Sequence, residues 1–92
     1  MPLKPANPSV QEFLALTPSQ LAQVVRGYRR ARGLTQHEAA TRGGLLQKTV
    51  SALETAPDRS AIESLLKLLA ALDVELVLRN KPAETAKPAS KP

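Results

Sequence analysis

Cysteine is absent from the 92 residues. That excludes a disulfide framework, a thiolate zinc site and a cysteine nucleophile, and it fits a reducing, cytoplasmic setting. Histidine occurs once, at His37. One histidine without cysteine does not assemble a zinc site, and its place just after a helix cap reads as a solvated side chain. No apolar run approaches the roughly 20 residues that a membrane-spanning helix needs. A signal peptide is not expected, because residues 1–8 carry Pro2, Pro5 and Pro8 and no apolar segment. No glycine-rich loop matches a phosphate-binding pattern, and no nucleophile stands with a base in a catalytic motif. The chain is therefore read as a non-enzyme without a cofactor.

What remains is small and basic. The length bounds the chain to one domain with short tails and a modest core. The formal net charge is +5, a balance that favours a polyanionic partner. Its placement says more. Arg26, Arg29, Arg30 and Arg32 cluster at the end of one expected helix. There they either complement the helix dipole or meet phosphates.

That helix opens at Thr17-Pro18-Ser19-Gln20. Thr17 is the cap, Pro18 takes the first helical position, where no donor is missed, and Gln20 completes a capping box. The helix runs to about Arg32, with Leu21, Val24, Val25 and Tyr28 as its buried stripe. Gly27 inside it reads as a close packing point, and Gly33 ends it.

Leu34 to Glu54 then reads as two short helices joined by a glycine turn. Thr35 and Glu38 form a capping box. Ala39, Ala40 and Thr41 are small and admit a neighbouring helix. Gly43-Gly44 stops the first helix, because glycine takes the left-handed conformation at little steric cost. The second helix runs from about Leu46 to Glu54, with Val50 and Leu53 inward and Gln47, Lys48, Ser51 and Ala52 outward. This is a helix-turn-helix, whose second helix is the natural reader of a DNA major groove.

Pro57 stops that helix. A fourth helix is expected at about 60–72, capped by Asp58 or Ser60, with Ile62, Leu65, Leu66, Leu69 and Leu72 as its core face. Leu68 falls off that stripe and is assigned to a subunit-facing surface. Val74 to Arg79 then alternates as a strand, with Val74, Leu76 and Leu78 on one face and Val77 on the other. No other segment reads as a strand. A second copy of this one, paired about a two-fold axis, would satisfy its backbone. Residues 1–16 read as a flexible arm carrying Val10, Phe13, Leu14 and Leu16, with Lys4 its only cation. Residues 80–92, polar and bearing three prolines, read as a disordered tail.

The set Leu34-Thr35-Gln36, Glu38, Ala40, Gly44, Thr49-Val50-Ser51 and Glu54 resembles the Cro/C1-type helix-turn-helix family. Ala39 and Gly43 stand where that family usually has larger apolar residues, and Leu46 replaces its usual polar cap on the recognition helix. With the Thr17–Ala22 opening, the Gln47–Glu54 stretch, and Leu65–Leu72 running into the strand, residues 16–79 more narrowly resemble the HipB-type antitoxins. That resemblance implies a homodimer joined by a two-stranded sheet, a palindromic operator, repression of the protein's own operon, and neutralisation of a HipA-like serine/threonine kinase toxin. It also implies that Arg29 and Glu54 form a structural ion pair.

In such a dimer, Gln47, Lys48 and Ser51 are candidates for base edges, since Gln suits adenine and Lys suits guanine in the major groove. Lys48 could equally meet a phosphate, and Ala52 could touch a thymine methyl. Gln36, at a helix N-terminus, is placed to clamp a phosphate, with Thr35 sharing through its backbone. Thr49 reaches a phosphate or caps locally. Arg30 and Arg32 are left to meet DNA or solvent. The dimer contacts assigned are Leu68, Val74, Leu76, Val77 and Leu78.

The sequence thus points to a mainly α, lambda-repressor-like bundle with a dimerising strand at 74–79, acting as a cytoplasmic, nucleoid-associated repressor. Two rival readings stand beside it. One is a Cro/C1-like regulator without a toxin. The other is a protein-interaction module that has lost DNA binding, suggested by Leu46 and the double glycine.

Overall fold

The computed structural model describes residues 11–82. Within them, α1 spans Pro18–Ala31, α2 Gln36–Gly43, α3 Gln47–Thr55 and α4 Ile62–Ala71, with a 3-10 turn at Pro57–Arg59 between α3 and α4. Local chemistry sets most of these ends. At α1, the Thr17 hydroxyl accepts from the Gln20 backbone N–H at 3.1 Å. The Gln20 side chain reaches back one residue further than a capping box requires, to the Leu16 N–H at 2.7 Å. At α2 the box is complete. The Glu38 N–H donates to Thr35 Oγ1 at 3.0 Å, and the Thr35 N–H donates to Glu38 Oε1 at 2.8 Å.

The core gathers Val25 of α1, Ala39 and Ala40 of α2, Val50 and Leu53 of α3, and Leu68, Leu69 and Leu72 of the α4 region. α2 packs against both α3 and α4, and α1 packs against α3. Alanines suit this middle position, because they let three helices converge without overpacking.

Glycine decides the α2–α3 turn in two different ways. Gly44, the C-cap of α2, is left-handed at φ 69°, a conformation that costs an L side chain roughly 1–2 kcal/mol. Gly43 serves close approach instead. A Cβ built there would lie 3.2 Å from the Lys67 carbonyl oxygen and 3.5 Å from Ala71 Cβ. This explains why no larger apolar residue occupies the position: α4 crosses directly over it.

Several expectations are corrected. Leu68 is fully buried, not subunit-facing, and the leucine left out of the core is Leu66, 46% exposed. Ile62, expected in the core, is also exposed. α4 is apolar around most of its circumference, so periodicity alone did not fix its rotation; the approach to Gly43 does. Asp58 and Ser60 cap nothing. Asp58 sits in the 3-10 turn, and α4 begins after Ala61, which makes no side-chain cap. Gly27 faces open space rather than a neighbour.

After α4 the chain carries no helix or ladder through residue 82. Val74 remains part of the single chain's own packing. Its N–H donates to the Leu69 carbonyl at 2.9 Å, and its side chain lies against the core. Leu76, Val77 and Leu78 are exposed. The described part of the arm, residues 11–16, is exposed throughout and touches the rest of the chain through two side chains: Phe13 meets Tyr28 edge-on with centroids 5.5 Å apart, and Glu12 approaches Arg79 at 3.8 Å. Val10, Lys4 and the tail after Pro82 lie outside the described residues.

Candidate nucleic-acid interface

Gln47 and Lys48 open α3 and are both exposed. Ser51 and Ala52, one turn on, are half-buried, and Thr49 is half-buried with its N–H donated to the Leu46 carbonyl at 3.0 Å. The outward face of α3 is therefore most open at its N-terminal end. That is the end of a recognition helix that meets base edges. Val50 and Leu53 hold the opposite face in the core.

A buried ion pair braces the other end of α3. Arg29 Nε donates to Glu54 Oε2 at 2.6 Å, and a second guanidinium nitrogen donates to Oε1 at 2.9 Å. The third donates to the Leu34 carbonyl at 2.8 Å. Gln36 Nε2 adds a bond to Glu54 Oε1 at 3.2 Å. The ion pair thus ties α1, the α1–α2 turn, α2 and α3 together, the guanidinium holding the turn and the carboxylate holding α2. Burial pushes the Glu54 carboxyl up, but the hydrogen bonds from Arg29 and Gln36 and the positive charges of Arg29 and Arg26 outweigh it, so its pKa lies below the ordinary value. The hydrogen bond to Glu54 correspondingly raises Arg29, against its own desolvation.

The remaining assigned residues divide by what they already hold. The Thr35 hydroxyl is occupied in the α2 cap. Its partner Glu38 is held below the ordinary carboxylate value by the Thr35 backbone and hydroxyl. The Gln36 side chain turns inward to Glu54, so what α2 offers a phosphate at its start is chiefly backbone N–H. Arg30 is exposed and makes no side-chain hydrogen bond or ion pair among the described residues.

Arg32 is not free, contrary to expectation. Its Nε donates to the Leu72 carbonyl at 2.9 Å, and its guanidinium sits 5.5 Å from the Tyr28 ring centroid. It satisfies a carbonyl at the C-terminal end of α4 while stacking on α1. Forty residues separate the two partners, so no local sequence pattern could have announced this clamp. Sequence reasoning also treated Leu46 only as a missing cap. It is that, since α3 starts without a side-chain cap, but it is also 62% exposed beside Gln47 and Lys48.

Among the described residues there is no cluster of metal-ligating side chains, and no helix is long and apolar enough to cross a membrane.

Comparisons with known proteins place the chain in a family. A helix-turn-helix family model matches residues 25–78. An antitoxin HipB from Escherichia coli strain K12 is 34% identical over 74 residues, covering 80% of this chain and 82% of the relative. A second antitoxin HipB, from Escherichia coli O6:H1, is 34% identical over 62 residues, covering 67% of this chain and 66% of the relative. Among solved structures, a chain from a HipA-HipB-O2-O3 complex superposes with a TM-score of 0.73 at 30% identity, covering 77% of this chain and all of that one. A chain from a HipB-O4 20mer complex gives the same TM-score, identity and coverage.

Proposed function

Because the chain belongs to the helix-turn-helix family of Cro/C1 type and is similar to the HipB antitoxins, we propose that it is the DNA-binding antitoxin of a toxin–antitoxin operon. That family is one of DNA-binding proteins, not of enzymes. In this reading the protein is a cytoplasmic, nucleoid-associated homodimer. It binds a palindromic operator, represses its own operon, and neutralises a HipA-like serine/threonine kinase toxin.

The observation that carries the reading is the start of α3. Gln47 and Lys48 stand exposed at the end of a helix whose opposite face is locked into the core and whose far end is braced by Arg29 and Glu54. Gln47, Lys48 and Ser51 meet base edges, and Ala52 lies along the same groove. Gln36 contributes a phosphate contact through its backbone N–H at the start of α2, and Thr49 through its hydroxyl, whereas the N–H and hydroxyl of Thr35 are both held in the α2 cap, which leaves Thr35 a positioning role. Arg30 adds a long-range phosphate contact. Two recognition helices about 34 Å apart would enter successive major grooves.

The segment after Val74 supports the dimer. Leu76, Val77 and Leu78 are exposed apolar residues with alternating spacing, next to backbone that makes no ladder in the single chain. A two-fold copy would bury both the side chains and the backbone groups.

The test measures mass in solution by light scattering for the full chain and for a chain ending at Glu75, which keeps the packing of Val74 on the core. The full chain should be a dimer and the shortened one a monomer with intact helical circular dichroism. A shortened chain that stays dimeric would move the interface off the strand. The reading also expects a HipA-like kinase encoded beside the gene, and co-expression with it should yield a stable complex. A failure of the two to co-purify would leave a DNA-binding regulator without a toxin.

A further inference from the structure

Leu46 occupies the position from which a recognition helix is ordinarily capped, and it cannot cap. Its backbone is extended, at φ −82° and ψ 149°, and no side-chain hydrogen bond closes the first turn of α3. A serine, threonine, aspartate or asparagine there would stabilise the helix. The chain instead exposes a large apolar side chain, 62% open to solvent. Its position is nonetheless well fixed. The Leu46 carbonyl accepts from the N–H groups of Thr49 and Val50, and the preceding Leu45 N–H donates to the Ala40 carbonyl at 2.8 Å. Leu45 packs against the core, and left-handed Gly44 sets the direction of entry. The leucine therefore projects from a rigid turn, beside the two exposed residues that open α3.

The major groove offers one apolar group, the C5 methyl of thymine. Polar substitutions at this site would have gained a cap, and small ones would have avoided exposing apolar surface; leucine does neither. Resting on the DNA-binding reading above, we propose that Leu46 is a specificity-determining residue, whose side chain packs on a thymine methyl in each half-site. The recognition helix then combines one apolar contact at its cap position with polar readout from Gln47 and Lys48 immediately after it. The two N–H groups at the start of α3 that no side chain caps, those of Gln47 and Lys48, remain available to a phosphate or to water.

The experiment locates the operator by footprinting full-length protein on the DNA upstream of its own gene. Each thymine is then replaced by uracil, one position per half-site at a time. Uracil lacks only the C5 methyl and keeps every hydrogen-bonding group. For the wild type, one position should lose affinity by about four-fold per methyl removed, the scale of one buried methyl group. Leu46→Ala should lose a similar factor on thymine DNA and should no longer distinguish thymine from uracil at that position. Its melting temperature and the salt dependence of its binding should be unchanged, because neither the core nor a phosphate contact is altered. Leu46→Ser, which restores a cap, should show the same loss of discrimination. A wild type that binds its operator but ignores every uracil overturns this inference alone. So does a Leu46→Ala protein that keeps the uracil sensitivity. A wild type with no specific site overturns the DNA-binding reading as well.

Discussion

Arg29 and Glu54, 25 residues apart, meet through two hydrogen bonds of 2.6 and 2.9 Å, with side chains that are 11% and 1% exposed. The pair fixes the angle between α1 and α3, and hence the direction in which α3 presents Gln47 and Lys48. Removing one partner leaves a buried charge uncompensated, which costs about 3–5 kcal/mol. Arg29→Ala and Glu54→Ala are each expected to lose that much in urea denaturation. The double variant Arg29→Met/Glu54→Leu should lose clearly less than either single one, because it leaves no orphan charge. Equal losses would mean that packing, rather than charge, dominates the site.

The same pair makes stability depend on acid. The folded Glu54 carboxyl lies below its ordinary value of 4.5. As pH falls through that value, the unfolded chain takes up a proton that the folded chain still resists, so protonation favours unfolding. The contribution of the pair is fully present above pH 4.5 and disappears as pH drops through the lower folded value. The stability gap between wild type and Glu54→Gln should therefore be constant near neutrality and narrow below pH 4.5. A gap that widens on acidification would reverse the sign of the proposed linkage.

Three glycines should respond in three ways. Gly44→Ala forces an alanine to a φ of 69° and should destabilise by about 1–2 kcal/mol. Gly43→Leu drives a side chain into the α4 backbone at Lys67 and should cost about 1–3 kcal/mol through overpacking. Gly27→Ala, in the open middle of α1, should stabilise by about 0.5–1 kcal/mol. Thermal melting of the three variants checks the order.

Leu68 and Leu66 sit two residues apart on α4 and should behave as opposites. Leu68→Ala empties a fully buried site and should lose about 2–5 kcal/mol. Leu66→Ala should change monomer stability by less than about 0.5 kcal/mol. A dimerisation defect in Leu66→Ala without loss of fold would assign that exposed leucine to an interface.

Where the sequence carried local signals, the fold was legible. The Thr17-Pro18 and Thr35/Glu38 caps, the Gly44 stop and the stripe of Val50 and Leu53 each depend on neighbours within four residues, and each stands where the pattern placed it. The phase of α4 was not legible, since leucines at 65, 66, 68, 69 and 72 fit more than one buried face. A contact with Gly43, more than twenty residues away, chooses among them. The Arg32 clamp on Leu72 was hidden for the same reason of distance. Composition marked the basic cluster, and the family resemblance set Arg29 apart as the partner of Glu54; only the structure separates the other two, since Arg32 braces α4 and Arg30 stays exposed.

DNA recognition by the N-terminal end of α3 is tested most directly by titrating full-length protein against the promoter DNA upstream of its own gene, beside a Gln47→Ala/Lys48→Ala variant. The wild type should bind tightly, with affinity falling steeply as salt rises. The variant should keep its fold and lose about 1–3 kcal/mol of specific binding for each bidentate base contact removed. Equal operator affinity in the two proteins would contradict the placement of the reading face, and no specific binding by the wild type would contradict DNA recognition altogether.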